Sequence, residues 1–486
     1  MIEMTSARAH TPAPEAKTAF QKIWDDHVVE DLGDDAFLIH IDRHFLHEVS
    51  GAVSLKEIDL QGRRVRNPEL TFGTVDHMLE TLPGRGMTTR MPGGNEFLRE
   101  FSQRIQPHGI RFFDLKDPRQ GIVHVIAPEL GLALPGTTFI CGDSHTCTIG
   151  GIGAFAWGVG SSDSEHALAT QTIVTTKPKT MRVRFEGTLQ PGVSAKDMIL
   201  HLIGQYGASG GAGHAIEFAG QAVRSMSIAG RMTLCNMAVE FGGRSGLIAA
   251  DEVTFEYLKG REFSPRDKDW DAAVAYWQSL ATDEGAQFDR EYVVDVSRLT
   301  PQVTWGTSPE HVIGIHGSVP PTDEVRHPVA RDSRLRALDY VKLVPGERLE
   351  GLAITGAFIG SCTNSRLEDL RAAAEVLKGR KVAPGITAIC VPGSTQVKHQ
   401  AEAEGLDRIF IDAGFEWRES GCSLCMSGAT GGESFAADAR VIASTNRNFE
   451  NRQGPNVRSH LASPATVAAS AVAGYITAAR QYEDLA

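Results

Sequence analysis

Nowhere does this sequence hold the run of roughly 18–20 apolar residues that a membrane helix needs. Its most apolar window, 465–479, is built of small residues and reads as a packed helix. The leading segment carries Pro, His, Arg and Glu without an apolar centre, so no secretory signal is expected there. Residues 1–19 are expected to form a disordered extension, with Met4 an alternative start to Met1. Cysteine is scarce and odd in number, at seven, which excludes a disulfide framework. Such a set suits a reducing, cytoplasmic setting in which clustered thiols are metal ligands or catalytic groups. Basic residues are in deficit: 48 Lys and Arg against 60 Asp and Glu give a formal charge of −12. That balance argues against a nucleic-acid binder, though it leaves room for a few arginines to hold an anionic substrate locally. No internal repeat and no low-complexity segment is evident.

What is present is a long α/β pattern. At 486 residues the chain exceeds one ordinary core, so two or three domains are expected. Short apolar runs alternate with helical spacing and turns drawn from 50 glycines. Residues 19–32 have helical spacing. The last third reads as a strand over 353–359, a helix over 367–377, strands over 386–391, 408–411 and 440–444, and an Ala-rich helix. Ser365 with Glu368 three residues on fits a capping box for the first of these helices. Changes of character near 176–179 and the Pro-punctuated stretch 304–334 mark boundaries. The expected division is 20–178, 179–303, a linker or surface loop over 304–334, and 335–486.

Three cysteines carry the chemistry. Cys362 lies in Gly360-Ser361-Cys362-Thr363-Asn364-Ser365, between a strand and a helix whose N-terminus favours thiolate. Cys422 and Cys425 form a C-x-x-C pair, which lets two thiolates reach one metal centre while Cys362 closes it from another loop. Three thiolates are one short of a fully ligated iron–sulfur cluster and leave an iron open as a Lewis acid. A zinc half-site or a redox dithiol has the same spacing, so the cysteines alone leave these alternatives open. Cys235 and Cys390 sit in apolar, strand-like runs and read as packing residues.

Acid–base candidates follow strand-like runs. Asp143-Ser144-His145 follows 137–141, and Asp76-His77 follows Leu70-Thr71-Phe72. An adjacent carboxylate orients an imidazole and raises its pKa, making it a proton donor near neutrality. His124, on an apolar run, has a core histidine as its commoner reading. Near the end, Asn446-Arg447-Asn448-Phe449-Glu450-Asn451-Arg452 offers two arginines suited to carboxylates, although such segments are more often solvated turns. The G-x-G-x-x-A match at 151–156 lacks the acidic residue about 20 positions on that a dinucleotide site requires, and it reads as a packing turn.

Taken together, these motifs resemble the aconitase superfamily, and within it the large subunits of isopropylmalate dehydratases. The matches run from about Phe20 onward. They include Ile41-Asp42-Arg43-His44, Cys141 to Thr146, Thr233-Leu234-Cys235-Asn236-Met237-Ala238-Val239-Glu240, Gly360 to Arg366, Gly421 to Cys425, and Asn446 to Arg452. The resemblance implies three α/β/α layered domains packed around one [4Fe–4S] cluster, without the swivelling fourth domain. It implies that Cys362, Cys422 and Cys425 hold the cluster, with one iron not ligated by protein. Asp76 and His77 would protonate the leaving hydroxyl. His124, Asp143, His145 and Glu240 would surround the reacting oxygen, and Asn236, Asn446, Arg447 and Arg452 the cluster and the substrate carboxylates. It favours the cluster over zinc. The implied reaction is interconversion of 2- and 3-isopropylmalate by dehydration and rehydration, a step of leucine biosynthesis.

The family's carbon-side base is a serine on the swivelling domain. The remainder after Arg452 is shorter than the roughly 50 residues of a small domain. A small partner subunit supplying that serine is therefore expected, with a small hydroxy-diacid as substrate and neither nucleic acid nor membrane as partner. The chain departs from the usual pattern after Thr146 (Cys147 to Gly153), after Val49 (Ser50-Gly51-Ala52-Val53), at Met78 and at 427–432. Ile149 and Met78 are expected to make the pocket wall more apolar. A related substrate such as citramalate or dimethylmalate is thus the alternative.

Overall fold

The computed structural model describes residues 15–323, 325 and 327–479. Most of the expected leading extension, 1–14, lies outside them. Order begins before Phe20, however. Thr18 and Ala19 are buried, and Thr18 and Gln21 form a reciprocal cap on helix Ala19–His27. That helix is shorter than its spacing suggested, because the chain turns at Val28 into strand Val28–Gly33.

Three all-parallel sheets organise the protein. The first runs Arg111–Phe113, Thr71–Thr74, Arg43–His47, Thr138–Cys141, Phe155–Gly158. The second runs Ser245–Leu247, His214–Ala219, Lys179–Glu186, Arg290–Asp295. The third runs Glu416–Trp417, Thr387–Cys390, Gly356–Ile359, Arg440–Ala443, Arg458–Leu461. In the first and third sheets the earliest strand is central, the next two build out on one side, and the last two on the other. Each therefore has a switch point beside its first strand, where successive connections leave in opposite directions and open a crevice. The shared order is a structural repeat that leaves no trace in the sequence. The second and third sheets do not have separate interiors, since one apolar cluster includes Met181, Phe218, Ile359 and Val467. Among the described residues no helix is long and apolar enough to cross a membrane.

Several local expectations change. Residues 408–411 lie in helix Leu406–Ala413 rather than a strand, because Leu406, Phe410 and Ala413 bury one helical face. Cys235 belongs to helix Ile228–Asn236. Helix Leu367–Leu377 forms where expected, but its first turn is closed by the Arg366 N–H donating to Asp369, 3.0 Å, while Glu368 accepts from Ser227. The stretch 304–334 is more than a linker. Strand Val312–Gly314 pairs with Gln302–Thr304, Trp305 is buried against His311, and helix Pro328–Val341 starts inside it. Asn448 donates to the Gly306 carbonyl (2.6 Å) and to Thr304 Oγ1 (3.2 Å), so this stretch braces the loop that carries the two arginines.

Arg231, fully buried in helix Ile228–Asn236, clamps both Asp251 oxygens at 2.6 and 2.7 Å and donates to the Met226 and Arg224 carbonyls. Truncation removes the guanidinium from a carboxylate that also caps helix Glu252–Leu258, and leaves two carbonyls without this donor. Arg231→Met should cost about 3 kcal/mol, seen as a lower urea midpoint at unchanged slope.

Candidate active site

The two switch points meet at one cavity of roughly 310 Å³. From the first sheet come Asp76-His77, after Thr71–Thr74, and Asp143 to His145, after Thr138–Cys141. From the third come Cys362, after Gly356–Ile359, and Asn446-Arg447, after Arg440–Ala443. His77, Asp143, His145, Cys362, Cys422, Cys425, Arg447 and Arg452 line the cavity together with Phe449. Asp76, His124, Asn236, Glu240 and Asn446 do not line it, and each contacts or flanks a group that does.

The three thiols are buried and unbridged. Asn236 Nδ2 and Asn446 Nδ2 donate to Cys362 Sγ at 3.2 and 3.4 Å. Ser361 Oγ and Arg452 Nη2 each reach Cys425 Sγ at 3.2 Å. Donors converging on sulfur complement thiolate or sulfide charge, which is the environment an iron–sulfur group requires. Burial, with Asp143 and Asp76 nearby, pushes the Cys362 and Cys422 thiols up. At Cys425 burial opposes ionisation, but Arg452 and Ser361 outweigh it and lower its pKa. Ser361 and Ser423, beside the ligand candidates, hold φ of 79° and 48°, a left-handed backbone disfavoured for residues with a Cβ. Such strain persists only where surrounding contacts impose it. Here Thr81 Oγ1 and Ser423 Oγ both donate to buried Glu433, which Arg418 also engages at 3.1 Å. Among the described residues no other cysteine lines the cavity, and Cys147 Sγ faces the Asn236 carbonyl.

Asp143 is the hub of the opposite wall. His77 Nε2 is 3.2 Å and His124 Nδ1 3.8 Å from its Oδ2, and His145 Nδ1 is 3.4 Å from Oδ1. Burial opposes its charge, yet His124, His145 and His77 together hold the carboxyl well below its usual range. His77 also meets Asp76 Oδ1 through Nδ1 at 2.6 Å. Burial works against the imidazolium, but these two carboxylates raise its pKa well above the ordinary histidine value. His145 lies between Asp143 and Glu240 (3.0 Å) and is likewise raised against burial. His124 is driven down to about 4 by burial and stays neutral, with Nε2 at 3.3 Å from Thr146 Oγ1. Arg447 lines the cavity, with its Nε donating to Glu240 at 2.6 Å and its Nη2 to Ser144 Oγ at 3.1 Å. Arg452 stands over the Phe449 ring at 4.9 Å. The arrangement is a proton-charged, guanidinium-bearing wall facing a soft sulfur site.

Two sequence expectations fail here. Ile149 is buried among Phe45, Phe139 and Met232, and Met78 packs with Met91 and Leu98, so neither forms a cavity wall. Of the departures from the usual pattern, the one that faces the cavity is 427–432, through Ala429 and Thr430. Sequence reading also passed over Lys196. It is fully buried in helix Ala195–Tyr206, donates to the Ser444 (2.9 Å) and Thr445 (2.5 Å) carbonyls, and so fixes the entry to Asn446. No local signal marks such a lysine, because its partners are backbone groups far along the chain.

The sequence profile of the Aconitase family (aconitate hydratase) matches residues 21–474. A "3-isopropylmalate dehydratase large subunit 1" from Bradyrhizobium diazoefficiens is 53% identical over 467 residues, covering 96% of this chain and 97% of that one. Among solved structures, a holo-form aconitase X from Thermococcus kodakaraensis covers 89% of this chain and 92% of its own at 13% identity. Its TM-score of 0.46 is too low to carry an argument.

Proposed function

The chain belongs to the aconitase family, and from that membership we propose that it is the cluster-bearing large subunit of a hydro-lyase interconverting 2- and 3-isopropylmalate. The observation that carries this reading is the single cavity in which three buried thiols, two of them approached by hydrogen-bond donors, face two imidazoles of raised pKa and two arginines. Cys362, Cys422 and Cys425 would hold a [4Fe–4S] cluster. When bound, with one iron free of protein ligands, it supplies a Lewis acid for the departing hydroxyl.

The remaining work falls to the chain itself. His77, its Nδ1 fixed by Asp76, delivers a proton from Nε2 to the leaving oxygen and takes it back on rehydration. Asp143 keeps that imidazole charged between turnovers. Arg447 and Arg452 bind the substrate carboxylates, and Glu240 fixes the plane of Arg447. Asn236 and Asn446 hold the Cys362 sulfur. The carbon-bound proton needs a base that these committed groups do not provide. A small partner subunit bringing a serine supplies it, in keeping with the relative's designation as a large subunit.

Ala429 and Thr430 on the cavity wall give a specific reason to test a second substrate, citramalate or dimethylmalate. Anaerobic hydration assays of the complex on isopropylmaleate, citraconate, dimethylmaleate and aconitate separate the two. Highest kcat/KM on isopropylmaleate is expected. Failure there with good turnover on another acid overturns the substrate assignment and leaves the reaction class standing.

A further inference from the structure

Beside the cavity, His47, Glu48, Asp76 and His77 gather four potential ligand atoms within 4.8 Å of one another. A cation would need their lone pairs, and these are already committed. Glu48 Oε1 accepts the N–H groups of His77 (2.8 Å) and Met78 (2.5 Å), and Oε2 accepts that of Asp76 (3.1 Å). His47 Nδ1 accepts the Val49 N–H at 3.3 Å, while Nε2 meets Ser50 Oγ at 3.2 Å. Both His77 nitrogens face carboxylates. The constellation is a hydrogen-bonded brace.

We infer that Glu48, with His47, is the positioning residue for His77. It is a carboxylate at 0% exposure whose two oxygens gather three consecutive backbone N–H groups. This inference rests on the assignment of His77 as proton carrier and goes beyond it by naming what aims the ring. The fold makes the contact possible, because Arg43–His47 and Thr71–Thr74 are neighbouring parallel strands with His47 opposite Thr74. The two dipeptides therefore leave adjacent strand ends together. Glu48 opens helix Glu48–Leu60 and reaches across to the 76–78 turn. With that turn pinned, Asp76 directs Oδ1 to His77 and Oδ2 to the Val123 N–H at 3.1 Å. The His47 ring lies flat on the His77 ring, centroids 4.1 Å apart and planes 19° apart. One face of His77 is thus covered, and rotation about its side-chain bonds is blocked. An unheld turn would let the imidazole shift by the ångström or so that costs about 10²-fold in a proton-transfer step. The turn also touches the thiol side, since the Asp76 carbonyl accepts the Cys422 N–H at 2.9 Å. The test must therefore separate aiming from cluster assembly.

The experiment uses the holo complex with its partner subunit. Glu48→Gln keeps the volume and one acceptor oxygen but sets an NH2 group against backbone N–H. Expected are wild-type iron and sulfide content, an unchanged EPR spectrum, a kcat about 10²-fold lower and a KM within about threefold. Amide exchange measured by mass spectrometry should rise several-fold in the 71–81 peptide and not in 356–366. Wild-type kcat with wild-type protection overturns the inference, and so does loss of the cluster, which would make Glu48 an assembly element. His77→Asn runs in parallel. If that variant keeps full turnover, the proton-carrier assignment itself falls. If it is inactive while Glu48→Gln is normal, only the present inference fails. Should Glu48→Gln not fold, His47→Leu carries the same readouts, with lower kcat expected at intact cluster content and unchanged kcat counting against it.

Discussion

Cys425→Ser is expected to yield a folded chain with little bound iron and sulfide, and turnover lower by about 10³-fold or more. The size follows from removing a Lewis acid worth several kcal/mol. Serine oxygen is shorter and harder than thiolate and a poor ligand for an iron–sulfur group. Cys425 is also the thiol whose ionisation the surroundings favour, through Arg452 and Ser361 against burial. Both donors lose their sulfur partner in the variant, so the defect extends to a guanidinium that lines the cavity. Cys390→Ala is the matched control. Cys390 is fully buried at the end of strand Thr387–Cys390, contributes to the apolar interior and touches none of the cavity. Iron and sulfide analysis with EPR after anaerobic purification should show the cluster kept in the control and lost in Cys425→Ser. Retention in both would remove Cys425 from the ligand set.

Purified alone and loaded with iron and sulfide, the chain should show its cluster spectrum yet almost no hydration of isopropylmaleate. Adding the partner subunit should raise the rate by at least about 10²-fold, the scale of a missing general base. The charge inventory of the cavity is the reason. Two carboxylates flank each of His77 and His145 and raise its pKa against burial, which favours donating a proton over accepting one from carbon. Asp143 and Asp76 serve those imidazoles, and Glu240 serves His145 and Arg447. The hydroxyl on the cavity wall, Thr430, donates to backbone carbonyls of its own turn. A wall so committed protonates oxygen well and deprotonates carbon poorly. Full activity of the isolated chain, checked for contaminating partner by mass spectrometry, would defeat this account.

Motifs of a few residues were legible wherever the chemistry is local. Cys422 and Cys425 lie on one turn, Asp76 adjoins His77, and helix Leu367–Leu377 shows its apolar period plainly. Short amphipathic segments were not. Residues 408–411 carry enough apolar character for a strand, and only the packing of Phe410 and Ala413 makes them helical. Ile149 and Met78 were misplaced for a related reason, since a residue's neighbours in sequence do not reveal whether it faces a cavity or the core. Glu48 and Lys196 left no signal at all, because their partners are backbone groups that are distant in the chain.

The sequence by itself determined the family and pointed to the candidate cysteines and acid–base pairs, because these are side-chain types in recognisable local motifs. Only the tertiary structure decided that these patterns form one site. Two sheets with the same strand order bring their switch points together, and the strand ends that meet there lie some hundreds of residues apart. Hydrogen bonds to buried carboxylates then raise the pKa of His77 and His145 while burial lowers that of His124, and that is a property of burial and distance which no spacing encodes.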